Sequence, residues 1–278
     1  MRSRRTPPRL LTIAGSDSGG GAGIQADLKT FAAHGAYGMS VIVALTAQNT
    51  VGVRAVHEVP VDIVAAQIDA VFEDIGVDAV KIGMLASAAI AATVAGRLRF
   101  WLGRSRVPVV LDPVMIAKSG DALLRDDAVE ALVGGLLPLC TLVTPNLPEL
   151  ERITGLPVGT LEERTRAAAA LSGRGPAVLA KGGHAEGEEI VDVVVERGEE
   201  THRVVHRRVE TTSTHGTGCT LSSAIASRLA QGDRLPVAVT GAVQYLDGAL
   251  RAAYPVGSGH GPVDHLYELY PQTPERKQ

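Results

Sequence analysis

The sequence predicts an α/β protein whose central sheet is mostly parallel and covered by helices on both faces, with one small antiparallel hairpin added. Short apolar segments alternate with helix-length segments along most of the chain, and glycine- or aspartate-rich turns follow the apolar segments. Uninterrupted apolar strands are typical of parallel sheets, which are buried on both faces. Ligands of such sheets bind beyond the carboxyl ends of the strands, so we expect the turns to meet at one functional edge.

Apolar periodicity and glycine punctuation place the elements of the first half in chain order. A strand over residues 10–14 runs into a glycine-rich loop, and a helix over 24–34 ends at Gly35, a residue that terminates helices well. The remaining elements of this half are strands over 41–47 and 53–59, a helix over 61–75, a strand over 78–82, a helix over 87–102 and a strand over 107–111.

The second half continues this alternation and then departs from it. The alternating elements are a helix over 126–132, a strand over 141–143, a helix over 161–171, a strand over 177–180 and two closing helices over 217–230 and 236–254. Between them, segments 190–196 and 201–210 are rich in β-branched residues and are separated by Arg197-Gly198-Glu199, which predicts the antiparallel hairpin.

Composition excludes several classes of protein. The chain has 278 residues, of which 45% are apolar and 21% charged, and its formal net charge is −3. This balance argues against nucleic-acid binding, which needs a basic surface. The apolar runs are shorter than the roughly 18 residues of a membrane span, so no membrane partner is expected. Two cysteines in a chain of this length favour a reduced, cytoplasmic protein without a disulfide framework.

We predict a single domain over residues 10–270, between a flexible arm at 1–9 and a flexible tail at 271–278. The arm carries four arginines interrupted by prolines, and no apolar segment of signal-peptide length follows it. Such a segment is typical of a frayed terminus.

The strongest functional signal is the anion segment, residues 214–220, which has the sequence Thr-His-Gly-Thr-Gly-Cys-Thr and starts a predicted helix. The first N–H groups of a helix have no intrahelical partner and lie at the positive end of its dipole, which makes them an anion site. Cys219 lies in the first turn, where a thiol pKa is lowered. We therefore predict phosphoryl chemistry here; the alternative is a glycine-rich helix start with a small buried cysteine.

The glycine loop, residues 15–23, resembles two phosphate-binding patterns and satisfies neither. Residues 21–26 match the dinucleotide pattern G-x-G-x-x-A, but the acidic residue expected about twenty positions later is missing, which disfavours a nicotinamide-dependent oxidoreductase. The phosphate-loop pattern also fails, because Lys29-Thr30 is preceded by Leu28 and lies inside the predicted helix. Asp17 and Asp27 flank the small residues and repel phosphate, so we expect a polar organic ligand. Asp27 is alternatively a solvated residue of the first helical turn.

Polar residues after the other strands suggest how such a ligand is held. Gln48 ends a strand, and its amide offers a donor and an acceptor side by side, which suits the edge of an aminopyrimidine. Met84 can supply soft apolar contact with a ring. Asp112 and Glu149 each follow a strand, and Mg²⁺ prefers few carboxylates together with water and phosphate oxygens. Each of the two carboxylates can instead cap a helix. Lys181 places a mobile cation in a glycine-rich turn suited to nucleotide phosphates.

Taken together, these motifs resemble the hydroxymethylpyrimidine/phosphomethylpyrimidine kinases of thiamine biosynthesis, in the ribokinase-like superfamily. The resemblance runs from residue 10 to about residue 254. The segments that carry it are 14–31, 47–50, 81–85, 112–115, 144–146 with Glu149, 181–184 and 214–220. The chain departs from the family pattern at Ser18-Gly19, where Pro-Ser is common, and at Ser213, where Asn is common.

The resemblance implies a ribokinase-like kinase that uses ATP and Mg²⁺ twice. It would phosphorylate 4-amino-5-hydroxymethyl-2-methylpyrimidine and then the monophosphate, giving the pyrimidine diphosphate. The residues matched to pyrimidine contacts are Gly15, Asp27, Gln48 and Met84, and those matched to the anion hole and the catalytic thiol are Gly216, Thr217, Gly218 and Cys219. The nucleotide contacts that we predict are Lys181 and Asn146, and the predicted metal ligands are Asp112 and Glu149.

Two other functions and two quaternary arrangements stay open at this point. A pyridoxal or pyridoxine kinase of the same superfamily would share most motifs, and a non-catalytic pyrimidine sensor would share the ring contacts while tolerating loss of Cys219. Because the family is commonly dimeric, we expect a homodimer. The hairpin over residues 190–210 is expected at its interface, or as an active-site flap in a monomer.

Overall fold

A computed structural model describes residues 6–115 and 126–270 of the chain. The strands in these ranges are β1 (Arg9–Ala14), β2 (Tyr37–Ile42), β3 (Ala44–Gln48), β4 (Val53–Glu58), β5 (Ala79–Ile82), β6 (Val109–Leu111), β7 (Leu142–Val143), β8 (Ala177–Ala180), β9 (Glu189–Glu196) and β10 (Glu199–Arg207). The α-helices are α1 (Gly23–Ala33), α2 (Val61–Ala70), α3 (Ala88–Leu102), α4 (Asp126–Ala131), α5 (Leu147–Thr154), α6 (Leu161–Ser172), α7 (Thr217–Ala230) and α8 (Leu235–Arg251).

Eight of these strands form the central sheet, in the order β10-β9-β8-β7-β6-β5-β1-β2. Neighbours from β8 to β2 are parallel, whereas β9 pairs antiparallel with both β8 and β10. The predicted fold class, a mostly parallel sheet with an antiparallel hairpin, is therefore confirmed.

Helices cover both faces of this sheet, because successive residues along each strand point to opposite sides. On β6, Val109 belongs to the buried cluster that includes residues of α2, α3, α5 and α6, while its neighbour Val110 belongs to the cluster that includes residues of α1, α7 and α8. Both side chains are fully buried. Burial on both faces explains why these strands carry continuous apolar runs.

The strand predicted over residues 41–47 is wrong, because the chain leaves the central sheet at Val43. Its two halves are β2, at the edge of the central sheet, and β3, which pairs with β4 in a separate two-stranded antiparallel sheet. The Val43 N–H still donates to Ala14 O (3.1 Å), while its carbonyl accepts from the Val59 N–H (2.9 Å). Apolar pattern alone does not mark this change of partner.

The hairpin β9–β10 is an integral edge of the central sheet, which rules out the flap expected for a monomer. Arg197 and Gly198 both have positive φ at its turn, the geometry that two-residue hairpins favour. Val193 and Val195 are fully buried, and β9 pairs with β8 over Val178–Ala180. A strand held on both edges and packed on a core cannot swing as a flap.

The termini differ from expectation at one residue. Arg9, expected in the arm, begins β1 and forms an ion pair with Asp78 at 2.8 Å. Residues 1–5 and the tail at 271–278 lie outside the described residues. Within the described ranges, no helix combines the length and the apolar character needed to cross a membrane.

Candidate active site

One cavity of about 590 Å³ lies at the edge of the sheet where the parallel strands end. The end of β1 and the turns after β5, β6, β7 and β8 all line it, as expected for turns that follow parallel strands. The residues predicted to form the site that line this cavity are Gly15, Gln48, Met84, Asp112, Asn146, Glu149, Lys181, Gly216, Thr217, Gly218 and Cys219. Asp27 is the exception.

Gly15, Met84 and Gln48 lie on the wall contributed by the glycine loop and its neighbours. A Cβ on Gly15 would lie 2.6 Å from Met84 Cε, so a larger residue would displace the end of the methionine side chain. The Gly15 N–H donates to Met84 O at 3.1 Å, which ties the two turns together. The Gln48 amide faces Thr46 and His215, at 3.1 Å and 3.5 Å. A thioether and an amide on one wall can hold the face and the edge of a polar ring.

Asp27 does not contact the cavity, which corrects its assignment as a ring contact and also the solvated alternative. Its carboxylate is fully buried and lies 2.8 Å from Lys81 Nζ. Thr12 Oγ1 and Ser223 Oγ also donate to it, at 2.6 Å and 2.7 Å. Burial by itself would lower the pKa of Lys81, but the Asp27 charge together with the nearby Cys219 and Asp112 charges outweighs it, and the pKa is raised. Asp27 and Lys81 therefore form a closed ion pair beneath the site.

Cys219 lies in the first turn of α7, as predicted, but its thiol is not acidic. Burial raises the pKa of Cys219 to about 11, although the Lys81 charge and the Gly23 N–H act in the opposite direction. The expectation of a lowered thiol pKa is therefore wrong for the ligand-free protein. Loss of hydration outweighs the helix N-terminus here. Cys140, by contrast, packs against the hydrophobic core, and its thiol donates to Leu136 O.

Glycines let the anion segment approach its neighbours closely. Gly216, the N-cap of α7, has φ of +79°, and a Cβ there would lie 1.8 Å from Gly21 O. A Cβ on Gly218 would lie 3.1 Å from Asp112 Oδ2 and 3.5 Å from Lys181 Nζ. The start of α7 therefore sits directly against a carboxylate and an ammonium group, which is where a transferring phosphoryl group could be held.

Asp112 and Lys181 form an ion pair at this end of the cavity. Lys181 Nζ lies 2.8 Å from Asp112 Oδ1, and Thr144 Oγ1 donates to the same oxygen at 3.1 Å. Burial would lower the pKa of Lys181, but the Asp112 and Glu149 charges outweigh it and raise the pKa. Lys181 is therefore a charged donor inside the cavity.

Asn146 and Glu149 cap α5, an eight-residue helix that the sequence analysis did not predict. Asn146 Oδ1 accepts the Glu149 N–H at 2.9 Å, and Glu149 Oε2 accepts the Asn146 N–H at 2.8 Å. The capping alternative is therefore confirmed for Glu149, and both Asn146 and Glu149 also line the cavity. Burial, with the nearby Asp112 charge, raises the pKa of Glu149 to about 7 against the opposing charge of Lys181.

The donor set fits Mg²⁺ in one specific way. Among the described residues no group of three or more His, Cys, Asp or Glu side chains is arranged to hold a metal ion. Magnesium, however, is commonly held by one or two carboxylates, waters and substrate phosphates. Asp112 and Glu149 provide that pair beside a cation and a helix N-terminus, so metal binding here would depend on bound phosphate.

Two groups of residues at the cavity have partners that the sequence did not indicate. Asp17 and His215 form a contact between the glycine loop and the anion segment, at 2.8 Å. Arg208 donates to the carbonyls of Gly183, Ala185 and Gly187 and so holds the turn that follows Lys181. His215 lies inside a motif that had been singled out, but its partner is distant in the sequence, so no local signal reveals the pair.

Comparison with known proteins decides the family. A family model described as phosphomethylpyrimidine kinase matches residues 17–264. The chain belongs to the phosphomethylpyrimidine kinase family. A relative from Streptomyces coelicolor, named hydroxymethylpyrimidine/phosphomethylpyrimidine kinase, is 51% identical over 265 residues, which are 95% of this chain and 96% of the relative. The resemblance found in the motifs is thereby confirmed.

Solved structures support both the family and the ribokinase-like fold. A phosphomethylpyrimidine kinase from Clostridium difficile is 46% identical, with a TM-score of 0.77 over 87% of this chain and 99% of that chain. The pyridoxal kinase from Staphylococcus aureus in complex with AMP-PCP and pyridoxal is 30% identical, with a TM-score of 0.85 and coverage of 95% of each chain. Backbone similarity thus extends to both kinases, whereas sequence identity favours the phosphomethylpyrimidine kinase. This family member is accordingly a phosphotransferase.

Proposed function

We propose that this enzyme transfers phosphate from ATP to 4-amino-5-hydroxymethyl-2-methylpyrimidine, and then to the resulting monophosphate, to give the pyrimidine diphosphate of thiamine biosynthesis. The observation that carries the proposal is the composition of one cavity. It joins a wall suited to a polar ring, a glycine-lined helix start, and a lysine beside two carboxylates. Each part matches a different piece of the two substrates.

Gln48 and Met84 would bind the ring, with Gly15 leaving room for it. A site built for a hydrogen-bonding edge rejects analogues that leave its buried groups unpaired, at about 1–3 kcal/mol for each group. Gln48→Ala should therefore weaken apparent affinity for the aminopyrimidine far more than for ATP. Equal losses for both substrates would contradict the assignment.

ATP would place its phosphates between Lys181 and the anion segment. Support comes from the charged Lys181 ammonium, from the Asn146 turn beside it, and from the AMP-PCP complex of the pyridoxal kinase neighbour. Mg²⁺ would be held by Asp112 and Glu149 with phosphate oxygens, and it would neutralise charge on the transferring group. The N–H groups of Gly216, Thr217 and Gly218 would stabilise the charge that develops there.

Cys219 would act as the base that accepts the hydroxyl proton in the first step. A thiol with a pKa of about 11 is mostly protonated at neutral pH, so only the small thiolate fraction of the enzyme could accept that proton. Lys81 and the Gly23 N–H are the groups that stabilise the thiolate and lower the pKa of Cys219. In the second step the nucleophile is a phosphate that is already ionised, so less help from a base is needed.

The test is a phosphoryl-transfer assay followed by product mass. Wild-type enzyme with ATP and Mg²⁺ should add one and then two phosphoryl groups to the pyrimidine alcohol. A parallel reaction with pyridoxal and pyridoxine tests the second candidate, which the TM-score of 0.85 to a pyridoxal kinase favours. Faster turnover of the pyridoxal series would replace the proposed substrate, and absence of transfer to any of these alcohols would support the non-catalytic sensor.

A cytoplasmic homodimer is part of the proposal, with support from two features. Cys140 and Cys219 are both free thiols, as expected for a reduced compartment. The small β3–β4 sheet exposes Leu45, Val51 and Val56 by 48%, 65% and 47%, which favours this sheet over the hairpin as the contact surface. Light scattering should give a dimer mass that Leu45→Glu with Val56→Glu converts to a monomer; a monomeric wild type would contradict it.

A further inference from the structure

Asp17 organises the glycine loop through an unusually full set of hydrogen bonds. Its side chain is 2% exposed. Oδ1 accepts the Gly19 N–H at 2.8 Å, and Oδ2 accepts the Gly21 N–H at 3.0 Å and the Ala22 N–H at 2.8 Å. The remaining partner is His215 Nε2, at 2.8 Å from Oδ2. Burial would raise the pKa of Asp17, but these hydrogen bonds outweigh it and lower the pKa, so the group is a carboxylate.

His215 connects the anion segment to the Asp17 carboxylate, and the two loops are in close contact at this point. A Cβ on Gly21 would lie 2.5 Å from His215 Cδ2, and a Cβ on Gly216 would lie 1.8 Å from Gly21 O. The backbone of His215 is held from the other side, where its N–H donates to Gly261 O at 3.0 Å. The His215 ring therefore packs directly against the backbone of the glycine loop.

The contact with Asp17 also places the His215 ring beside Gln48. A carboxylate only accepts, so His215 Nε2 carries a proton and directs it to Asp17. The Gln48 amide lies 3.5 Å from that nitrogen, and 3.1 Å from Thr46 Oγ1, whose hydroxyl donates to Ser16 O at 2.8 Å. Gln48 Oε1 is the amide atom next to the Thr46 hydroxyl, and Gln48 Nε2 is the atom that faces His215. The Gln48 amide is therefore held between Thr46 and His215 at the wall of the cavity.

We propose that Asp17 and His215 form a positioning pair that locks the glycine loop to the anion segment and orients Gln48, so that the substrate hydroxyl is aligned with the phosphate to be transferred. The pair touches neither reacting atom in this scheme. It acts on the ring through Gln48 and on the phosphoryl group through Gly216. The catalytic part of this inference rests on the proposed function, whereas the locking of the two loops does not.

Kinetics test the alignment. His215→Ala should lower kcat/KM for the pyrimidine alcohol about 100-fold, because a misplacement of about 1 Å has an effect of that size. Apparent KM for ATP should change little, since nucleotide contacts lie on Lys181 and its turn. His215→Gln keeps an N–H donor and should recover part of the loss. The double variant with Asp17→Asn should be no worse than the poorer single variant, because the two residues act as a unit.

Hydrogen exchange in the ligand-free protein tests the lock independently of any substrate. His215→Ala should speed amide exchange at residues 19–22, in the other loop, as well as at 216–219. His202→Gln is the matched control, because His202 bonds Thr240 at 2.8 Å and does not line the cavity. It should leave exchange in both loops unchanged.

Three results would overturn the proposal. The first is exchange that rises only in the mutated loop, and the second is a set of single-variant effects that multiply in the double variant. The third is an equal loss of ATP and pyrimidine parameters without rescue by glutamine, which indicates a structural role alone. If wild type transfers no phosphate, the proposed function fails, while the exchange measurement still decides whether the loops are locked.

Discussion

Two lysine–aspartate pairs in this protein have the same length and different surroundings. Lys81–Asp27 and Lys181–Asp112 both have an N–O distance of 2.8 Å. Both side chains of the first pair are fully buried, whereas the Lys181 side chain is 14% exposed and lines the cavity with its partner. All four charges act on the Cys219 thiol.

The two pairs differ in whether a ligand can reach their charged groups. Asp27 is surrounded by Thr12, Lys81 and Ser223, all inside the protein, so no ligand can reach it. Asp112 and Lys181 face the cavity, where a phosphate can replace Asp112 on the lysine and a metal ion can replace the lysine on Asp112. A buried pair adds little net stability but is costly to break, so the closed pair is expected to serve as scaffold and the open pair to take part in the reaction.

The largest expected effect falls on Cys219, the residue that both pairs influence. Cys219→Ala should lower kcat on the pyrimidine alcohol by about 10² to 10⁴, the usual range for general-base help, with substrate binding largely kept. Cys219→Asp should recover part of the rate. Turnover within about threefold of wild type, with chemistry shown to limit the rate, would leave Cys219 a packing residue. Because its pKa is raised to about 11, alkylation of the thiol should keep accelerating between pH 7 and pH 10.

The next effect separates scaffold from site. Asp27→Ala leaves the fully buried Lys81 ammonium without its partner and should lower the free energy of unfolding by about 3–5 kcal/mol. Asp112→Ala, the matched change in the open pair, should have a smaller effect, because water can reach Lys181. Urea denaturation of both variants measures the difference. Equal destabilisation by the two changes would remove the distinction between the pairs.

Lys181 should show the opposite balance, with a large effect on nucleotide use and a small one on stability. Lys181→Ala removes hydrogen bonds between charged groups and should raise the apparent KM for ATP about tenfold to a hundredfold. Lys181→Arg should rescue only part of this, because a guanidinium is planar and wider than an ammonium group. Steady-state kinetics with varied ATP provide the measurement, and full activity of the arginine variant would contradict a specific need for lysine.

The smallest expected effect concerns pH at Glu149. With a pKa raised to about 7, a proton competes with Mg²⁺, so half-saturating Mg²⁺ should rise several-fold as pH falls from 8 to 6. Glu149→Gln should need more Mg²⁺ at every pH and lose this dependence. Stability without metal should depend on pH in the opposite direction to Mg²⁺ binding. Folded protein holds the Glu149 proton more tightly than unfolded protein does, so the free energy of unfolding should fall as pH rises from about 4.5 towards 7. An unchanged Mg²⁺ titration in the glutamine variant would show that Glu149 is not a ligand of Mg²⁺.

Local pattern explains why much of the fold was predictable. The helix predicted over residues 217–230 is observed as α7, Thr217–Ala230. Its start and its buried face depend on neighbouring glycines and on apolar periodicity, which are both visible in the local sequence. Short elements are harder: α5 has eight residues and depends on the Asn146–Glu149 capping box rather than on periodicity. The division of β2 from β3 at Val43 was not predictable either, since an apolar residue is equally suited to both sheets.

The sequence by itself determined the fold class, the family and most of the residues that meet at the cavity, because turns after parallel strands must gather at one edge. The tertiary structure decided what each of them does there. Asp27 meets Ser223 across 196 residues of sequence, and Asp17 meets His215 across 198. Contacts of that kind determine how far each side chain is buried, how much water reaches it and which charges lie beside it. They make Asp27 the buried counter-ion of Lys81, and they raise the pKa of Cys219. No local pattern records hydration, so these roles appear only once the chain is folded.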